Sequence, residues 1–254
     1  MRNIAKRHKF ILNEIAKEGY VRVLDLSNQL NISEVTIRKD LKELEKRKLL
    51  VRNHGGASAL SLLIDERHID EKEKIQRDEK SRIATYAAGL LNPEDRIIIA
   101  SGTTVLAFAR KITDQVPITI ITPSVKVTAE LCYVNNIDII QLGGTMRKSS
   151  ASAIGYFAES LLKEMMCNKL FIGIDGLDLE HGLTTSNLGE AHLNQVMIKS
   201  AQKVIVLTDS TKFGKRGFGK ICDIAEVDQI ITDTNAPASV VEQLRESGVD
   251  VVLV

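Results

Sequence analysis

Apolar positions keep a helical rhythm through the first third of the chain and then change to short continuous runs. Ile4, Ile11, Leu12 and Ile15 form a helical stripe over residues 3–18, and Gly19 supplies a stop. A β-prone step follows at Tyr20-Val21-Arg22-Val23, then a second short helix over 24–30 that packs through Leu24, Leu26 (or Ser27) and Leu30. Asn31-Ile32 makes a tight turn, and Ser33 suits an N-cap because its hydroxyl can accept from the free N–H groups of the next turn. A third helix is predicted from 34 to about 46, with Ile37, Leu41 and Leu44 on one buried face and Thr36, Arg38, Lys39 and Lys42 on the other. Residues 49–52 read as a strand, Gly55-Gly56 as a turn and 57–60 as a returning strand, which together make a wing.

Residues 61–77 are dense in charge (Asp65-Glu66-Arg67, Asp70-Glu71-Lys72-Glu73-Lys74) and are expected to form a linker or an exposed helix. Ile83, Ala87, Leu90 and Leu91 then mark a helix closed by Asn92-Pro93. Beyond it, apolar strands at 97–100, 118–122, 137–142, 170–174, 204–208, 229–232 and 249–254 alternate with helical segments. Strands apolar on both faces, with helices between them, predict a mostly parallel, Rossmann-like sheet covered on both sides. The expected organisation is a winged helix-turn-helix over 1–60, a linker over 61–77 and an α/β domain over 78–254.

Composition narrows the function classes. The 254 residues carry no Trp and only 4% aromatics, so the cores must be aliphatic. No apolar run approaches a membrane span, and the basic N-terminus has no signal-like stretch behind it, so a cytoplasmic protein is expected. Cys132, Cys167 and Cys222 lack ligand or disulfide spacing and read as reduced thiols, and His8, His181 and His192 read as surface or capping residues; neither a metal nor a cofactor is expected. Overall charge is +1, but residues 1–60 hold thirteen basic against seven acidic groups, a head suited to a polyanion.

The second helix of a helix-turn-helix pair enters the major groove of double-stranded DNA, and its first exposed residues reach base edges. Here these are Ser33, Glu34, Val35, Thr36, Arg38 and Lys39, with Arg38 the candidate for bidentate reading of guanine and Thr36 for a thymine methyl or a phosphate. Lys39, Lys42, Arg22 and Arg52 fit phosphate contacts, and His54 at the wing tip fits the backbone or minor groove. The run Ser33-Glu34-Val35-Thr36-Ile37-Arg38-Lys39-Asp40-Leu41, then Leu44-Glu45 and Arg52-Asn53-His54-Gly55-Gly56-Ala57, resembles the DeoR family of repressors. Lys39 replaces that family's second Arg and Ile32 its usual Val, keeping charge and shape.

In open α/β sheets ligands bind beyond the carboxyl ends of the strands. The polar groups there are Ser101-Gly102-Thr103-Thr104, Ser124, Gly143-Gly144 with Arg147, Asp175 and Lys212: glycines for close approach, hydroxyls and cations for a phosphate, and a carboxylate for sugar hydroxyls. This part of the chain also resembles the DeoR-type sensor domain, itself similar to ribose-5-phosphate isomerase. The resemblance implies a phosphorylated sugar or polyol as effector, assembly into a homo-oligomer (dimer or tetramer), and repression of carbohydrate genes rather than catalysis. Two positions depart from the family pattern, Ala100 for an Asp and Pro123 within its usual T-N-S, which leaves a vestigial pocket as one alternative. A fused aldose–ketose isomerase is the other: Asp175, Lys212 and Glu190 could carry chemistry, although Glu190 reads better as a capping residue and Asp178 is offset from the isomerases' second carboxylate.

Overall fold

Contacts divide the chain into two units, Met1–Leu62 and Leu63–Val254. The computed structural model describes residues 4–18, 20–47, 49–53, 55–59 and 68–254 of them.

In the first unit, α1 (Ile4–Glu18) leads into β1 (Tyr20–Arg22), α2 (Val23–Leu30), α3 (Glu34–Lys46), β2 (Leu50–Asn53) and β3 (Gly56–Ala59). The strands form an antiparallel sheet in the order β1-β3-β2, so a wing follows the helical pair. Ile11, Ile15, Leu26, Leu30, Ile37, Leu41, Leu44 and Leu50 interlock as its aliphatic core. Asn31 ends α2 in the left-handed conformation (φ 53°), and the Ser27 hydroxyl donates to the Ile32 carbonyl at 2.6 Å, which fixes the turn. Two expectations change. Helix α2 begins one residue earlier than its apolar spacing implied, so Val23 is buried and Leu24 is 57% exposed. His8 is no surface residue: it is buried beside Asp40, its Nε2 3.3 Å from Oδ1.

Asp40 is the polar centre of this core. Arg7 reaches it from α1 as a fork, Nη2 donating to Oδ1 at 2.8 Å and Nε donating to Oδ2. Both side chains are less than a tenth exposed, so the pair pins α1 to the helix whose outer face is free.

In the second unit, α4 (Ile69–Glu73) and α5 (Arg77–Ala88) precede β4 (Arg96–Ile99), α6 (Thr103–Ala109), β5 (Ile118–Thr122), α7 (Val125–Leu131) and β6 (Ile137–Gln141). A hairpin of β7 (Thr145–Arg147) and β8 (Ser152–Ile154) follows, then α8 (Tyr156–Lys163) and β9 (Cys167–Ile172). The chain continues through β10 (Gly176–Asp178), β11 (Gly182–Thr185), α9 (Leu188–Lys199), β12 (Ala201–Leu207), β13 (Gly219–Cys222), β14 (Gln229–Thr232), α10 (Ala238–Glu246) and β15 (Asp250–Leu253). The seven strands expected from apolar runs are the seven of the main sheet, in the order β15-β14-β12-β9-β4-β5-β6, with every neighbour parallel.

Alternate residues feed two cores. Ile98, Leu170, Ile172, Val204 and Val206 face Ala158, Leu162, Leu193 and Met197 from α8 and α9. Ile97, Ile99, Phe171, Ile205 and Leu207 face Ile83, Ala87, Leu106 and Phe108 from α5 and α6. Phe108 and Phe171 meet with ring centroids 4.4 Å apart. Ala100, one of the two departures, lies fully buried in the first of these cores.

The segment 61–77 does not end as a free linker. From Ile69 onward its charges are tied to the second unit: Asp70 to Lys126, Glu73 to Arg110 at 2.7 Å, and Lys72 to Asp175 at 2.6 Å. Local composition cannot reveal partners 37 to 103 residues away in sequence. Cys167 and Cys222 are buried, Cys132 is exposed, and all three are free thiols. Among the described residues no helix is long and apolar enough to cross a membrane.

Removing one partner of a buried ion pair leaves the other charge stranded. Asp40→Ala is therefore expected to destabilise the first unit by about 3–5 kcal/mol, whereas the joint replacement Arg7→Leu with Asp40→Leu costs far less. Denaturant unfolding of the full chain, read through amide exchange in α3, measures both.

Candidate functional site

Two places gather the sequence-predicted residues. On α3, Ser33 caps the helix, its hydroxyl accepting from the Thr36 N–H at 3.3 Å and standing 3.0 Å from the Thr36 hydroxyl. With Ile37, Leu41 and Leu44 turned inward, Val35, Arg38, Lys39, Lys42 and also Lys46 form an exposed stripe at i, i+3, i+4, i+7 and i+11. Arg38 lies along that stripe, held by Glu34 one turn back at 2.6 Å. An exposed i,i+4 pair is worth only about 0.3–0.5 kcal/mol, so it orients the guanidinium without locking it. Arg22 is exposed at the end of β1. Arg52 is tied to Glu45 of α3 at 3.0 Å, and its N–H also donates to that carboxylate at 3.1 Å, so the wing strand is fastened to the recognition helix. His54 lies outside the described residues.

In the second unit the strand order reverses between β4 and β9: one path runs to β5 and β6, the other to β12, β14 and β15. Crossovers diverge at such a point and leave a crevice at the carboxyl ends. The crevice is lined by Ser101, Gly102, Thr103, Thr104, Arg147, Asp175 and Lys212 of the expected set. Gly102 has φ 133° and ψ 162°, a conformation for glycine alone, which lets the loop turn sharply into α6.

Ser124, Gly143 and Gly144 do not line the crevice. Ser124 is spent on structure: its hydroxyl caps α7, accepting from Val127 N–H at 3.4 Å, and its own N–H donates to Thr122 Oγ1 at 3.1 Å. The β7–β8 hairpin docks over the ends of β5 and β6, with Ala153 N–H donating to Pro123 O and Val125 N–H to Ala151 O. Gly144 (φ 147°) permits the close approach of the hairpin's own two arms, since a Cβ there would lie 2.6 Å from the Ile154 carbonyl. The hairpin closes this end of the edge and carries Arg147 into the crevice instead.

Sequence reasoning did not select Lys72, Ser149, Ser150, Thr185 or Asn194, which also line the crevice. Lys72 Nζ donates to Asp175 Oδ1 at 2.6 Å; the Ser186 N–H donates to Oδ2 at 3.1 Å. The Thr185 hydroxyl is 3.2 Å from both Asp175 Oδ2 and Glu190 Oε2, and with one proton it donates to one carboxylate at a time. Arg147 Nη1 donates to Glu190 Oε1 at 2.8 Å. Burial alone would raise the Asp175 carboxyl, but the charge and hydrogen bond of Lys72, the Ser186 N–H and the charge of Lys212 outweigh it and hold it at about 2. Among the described residues Lys212 has no ion-pair partner.

Glu190 is not the capping residue expected. Asn187 caps α9, its Oδ1 accepting from the Glu190 N–H at 3.1 Å, while the Glu190 side chain turns inward to Arg147. The one visible signal was the Asn187…Glu190 spacing of a capping box, which hid the second role. Asp178 stays outside the crevice with Glu180 and His181 in a group able to hold a cation, but the Arg216 guanidinium already supplies charge there, 3.1 Å from Asp178 and 3.4 Å from Glu180.

Comparison with known proteins agrees with both halves of this geometry. The DeoR-like helix-turn-helix domain matches residues 7–62, and the DeoR C terminal sensor domain matches residues 75–234. A relative from Escherichia coli O157:H7, named for repression of an aga operon, is 36% identical over 98% of this chain and 94% of its own. The glycerol-3-phosphate regulon repressor of Escherichia coli K12 is 28% identical over 98% of each chain. Ribose 5-phosphate isomerase A of Methanocaldococcus jannaschii aligns over 54% of each chain at 17% identity, with a TM-score of 0.41, and that distance gives it no bearing on function. With a helix-turn-helix head, a sensor-type α/β body and relatives matched over nearly their whole length, the chain belongs to the DeoR family of helix-turn-helix transcriptional regulators.

Proposed function

We propose that this chain is a cytoplasmic, homo-oligomeric repressor of carbohydrate-metabolism genes that binds operator DNA through α3 and the wing, and whose operator affinity responds to a phosphorylated sugar or polyol in the crevice. One observation carries the effector reading: the crevice brings together three cations (Lys72, Arg147, Lys212), two carboxylates (Asp175, Glu190) and the hydroxyls of Ser101, Thr103, Thr104, Ser149 and Ser150. A phosphoryl group needs the cations and hydroxyl donors, and a polyol chain needs the carboxylates. The relative named for a glycerol-3-phosphate regulon supports the same ligand class.

The same geometry disfavours turnover. A carboxylate held at about 2 by Lys72 is a weak base, far from the neutral range where a general base for carbon works best. Glu190, the second carboxylate of the crevice, is paired with Arg147, and Asp178 is engaged with Arg216 outside it.

On the DNA side, the exposed stripe of α3 supports assigning Arg38 and Val35 to base edges and Lys39, Lys42, Arg22 and Arg52 to phosphates. Coupling between the two sites requires the effector to bind two arrangements of the protein unequally.

Four outcomes are expected, two on each side. Arg38→Ala lowers affinity for a duplex selected from a random library by the wild-type chain by about 5- to 150-fold, the worth of one bidentate base contact, and relaxes preference at one base pair. Lys39→Ala weakens all sequences alike and flattens the salt dependence; fluorescence anisotropy across a salt series separates the two. On the body side, a phosphate ester from a panel including ribose 5-phosphate, glycerol 3-phosphate and hexose phosphates raises the melting temperature, while the unphosphorylated sugars do not. Lys212→Met abolishes most of that rise without stranding a carboxylate. No rise with any ester rejects the effector reading.

A further inference from the structure

The element that covers the crevice comes from the segment that looked like a linker. Helix α4 is five residues long, too short to hold itself as a helix, so its place depends on side-chain ties. Ile69 is buried, and its N–H donates to the Ser149 carbonyl at 2.7 Å, beside the crevice. On the outer side, Asp70 is tied to Lys126 and Glu73 to Arg110. At its carboxyl end, the buried Lys80 ammonium donates to the carbonyls of Lys72 at 2.6 Å and Ile75 at 2.7 Å. Burial pulls Lys80 down to about 8, against the opposing charge of Asp209. The Lys72–Asp175 pair lies inside the crevice, and the Ile69–Ser149 bond joins two residues of its lining.

A phosphoryl dianion needs two positive charges nearby. Arg147 is paired with Glu190, while Lys212 and Lys72 are the two cations that both act on Asp175. The Lys72 ammonium has three N–H donors and spends one on Asp175, so it can hold the carboxylate and a phosphoryl oxygen together.

We propose that Lys72 is a ligand-binding residue of the crevice and that α4 is the strap which an anionic effector draws down. This rests on the effector reading above and adds its regulation. The strap is the first described element of the second unit, six residues past the boundary at Leu63, so its docking is where occupancy of the crevice meets the chain that leads to the DNA-binding unit. A ligand that binds only the docked arrangement stabilises it by mass action.

The test uses the full-length chain with inorganic phosphate and with glycerol 3-phosphate and ribose 5-phosphate. Ligand is expected to slow hydrogen exchange at the Ile69 amide and through 70–76. Lys72→Met is expected to weaken ester binding by about tenfold or more, the worth of a charge-assisted hydrogen bond, and to abolish that protection. Lys74→Met removes an equal charge from the same segment at an exposed position and leaves both readouts within about twofold. Because Lys72→Met strands the Asp175 carboxylate, the pair Lys72→Met with Asp175→Asn is measured beside it, and Lys72→Arg restores binding. Ester binding and Ile69 protection that survive in both Lys72→Met variants overturn the strap while the effector reading stands. Failure of every ester to bind the wild-type chain overturns both.

Discussion

A parallel sheet covered on both faces can offer chemistry only at its edges. Here strands β9, β4 and β12 are apolar on either side because two layers of helices bury them, so the sheet itself can show polar side chains to a ligand only where its strands end. The reversal between β4 and β9 then decides which ends stay open. Helices leave in opposite directions from that pair, and the crevice is what they leave behind. The small antiparallel pieces refine this opening. The β7–β8 hairpin shuts the β5–β6 end and delivers Arg147, while the β10-β11-β13 sheet sets Asp175 and Thr185 side by side.

Two of the crevice's three cations are already paired with carboxylates. Asp175 answers Lys72 and Glu190 answers Arg147, so these buried charges are paired rather than exposed to one another. A crevice of unpaired cations would carry a desolvation cost and mutual repulsion that the fold would have to offset elsewhere. Pairing removes that cost for two of the cations and sets a condition on the ligand: beyond meeting Lys212, it must share or exchange partners at Lys72 and Arg147. A molecule with both a strong anion and several hydroxyls meets that condition, since it can satisfy the ammonium and the carboxylate at once. A bare anion leaves the carboxylates facing it.

The seven strands of the main sheet were legible because each is a continuous apolar run, and the recognition helix because Ile37, Leu41 and Leu44 share one face behind a Ser33 cap. Boundaries slipped by up to three residues at two strands, as at Cys167–Ile172, where the polar Asn168 and Lys169 precede the apolar core of the strand, and by one residue or none at the other five. What stayed hidden depends on distant partners. Lys72 sits in a charge-rich stretch whose composition is that of a solvated helix, and Asp175 is 103 residues away. Asp40 is likewise a polar residue whose burial goes with Arg7 and His8 arriving on another helix. The hairpin strands of three residues are too short for any alternation to register, and without them Ser124 and Gly144 looked like site residues when they are the supports of a turn.

Two arginine–carboxylate pairs of the first unit, Arg7–Asp40 and Arg38–Glu34, show how burial separates architecture from recognition. Arg7 and Asp40 are both desolvated and joined by two hydrogen bonds, so parting them strands two charges in an apolar core, and no ligand at the surface can compensate. Arg38 and Glu34 are exposed, joined one turn apart, and held by a fraction of a kilocalorie per mole. In the proposed reading, Arg38 leaves a solvent-exposed pair of low worth to meet the N7 and O6 acceptors of a guanine edge. The same residue type is thus immovable on α1 and free to change partners on α3. The difference lies in the water around it, which is why the outer stripe of α3 can read a groove while the inner face keeps that helix at a fixed angle to α1.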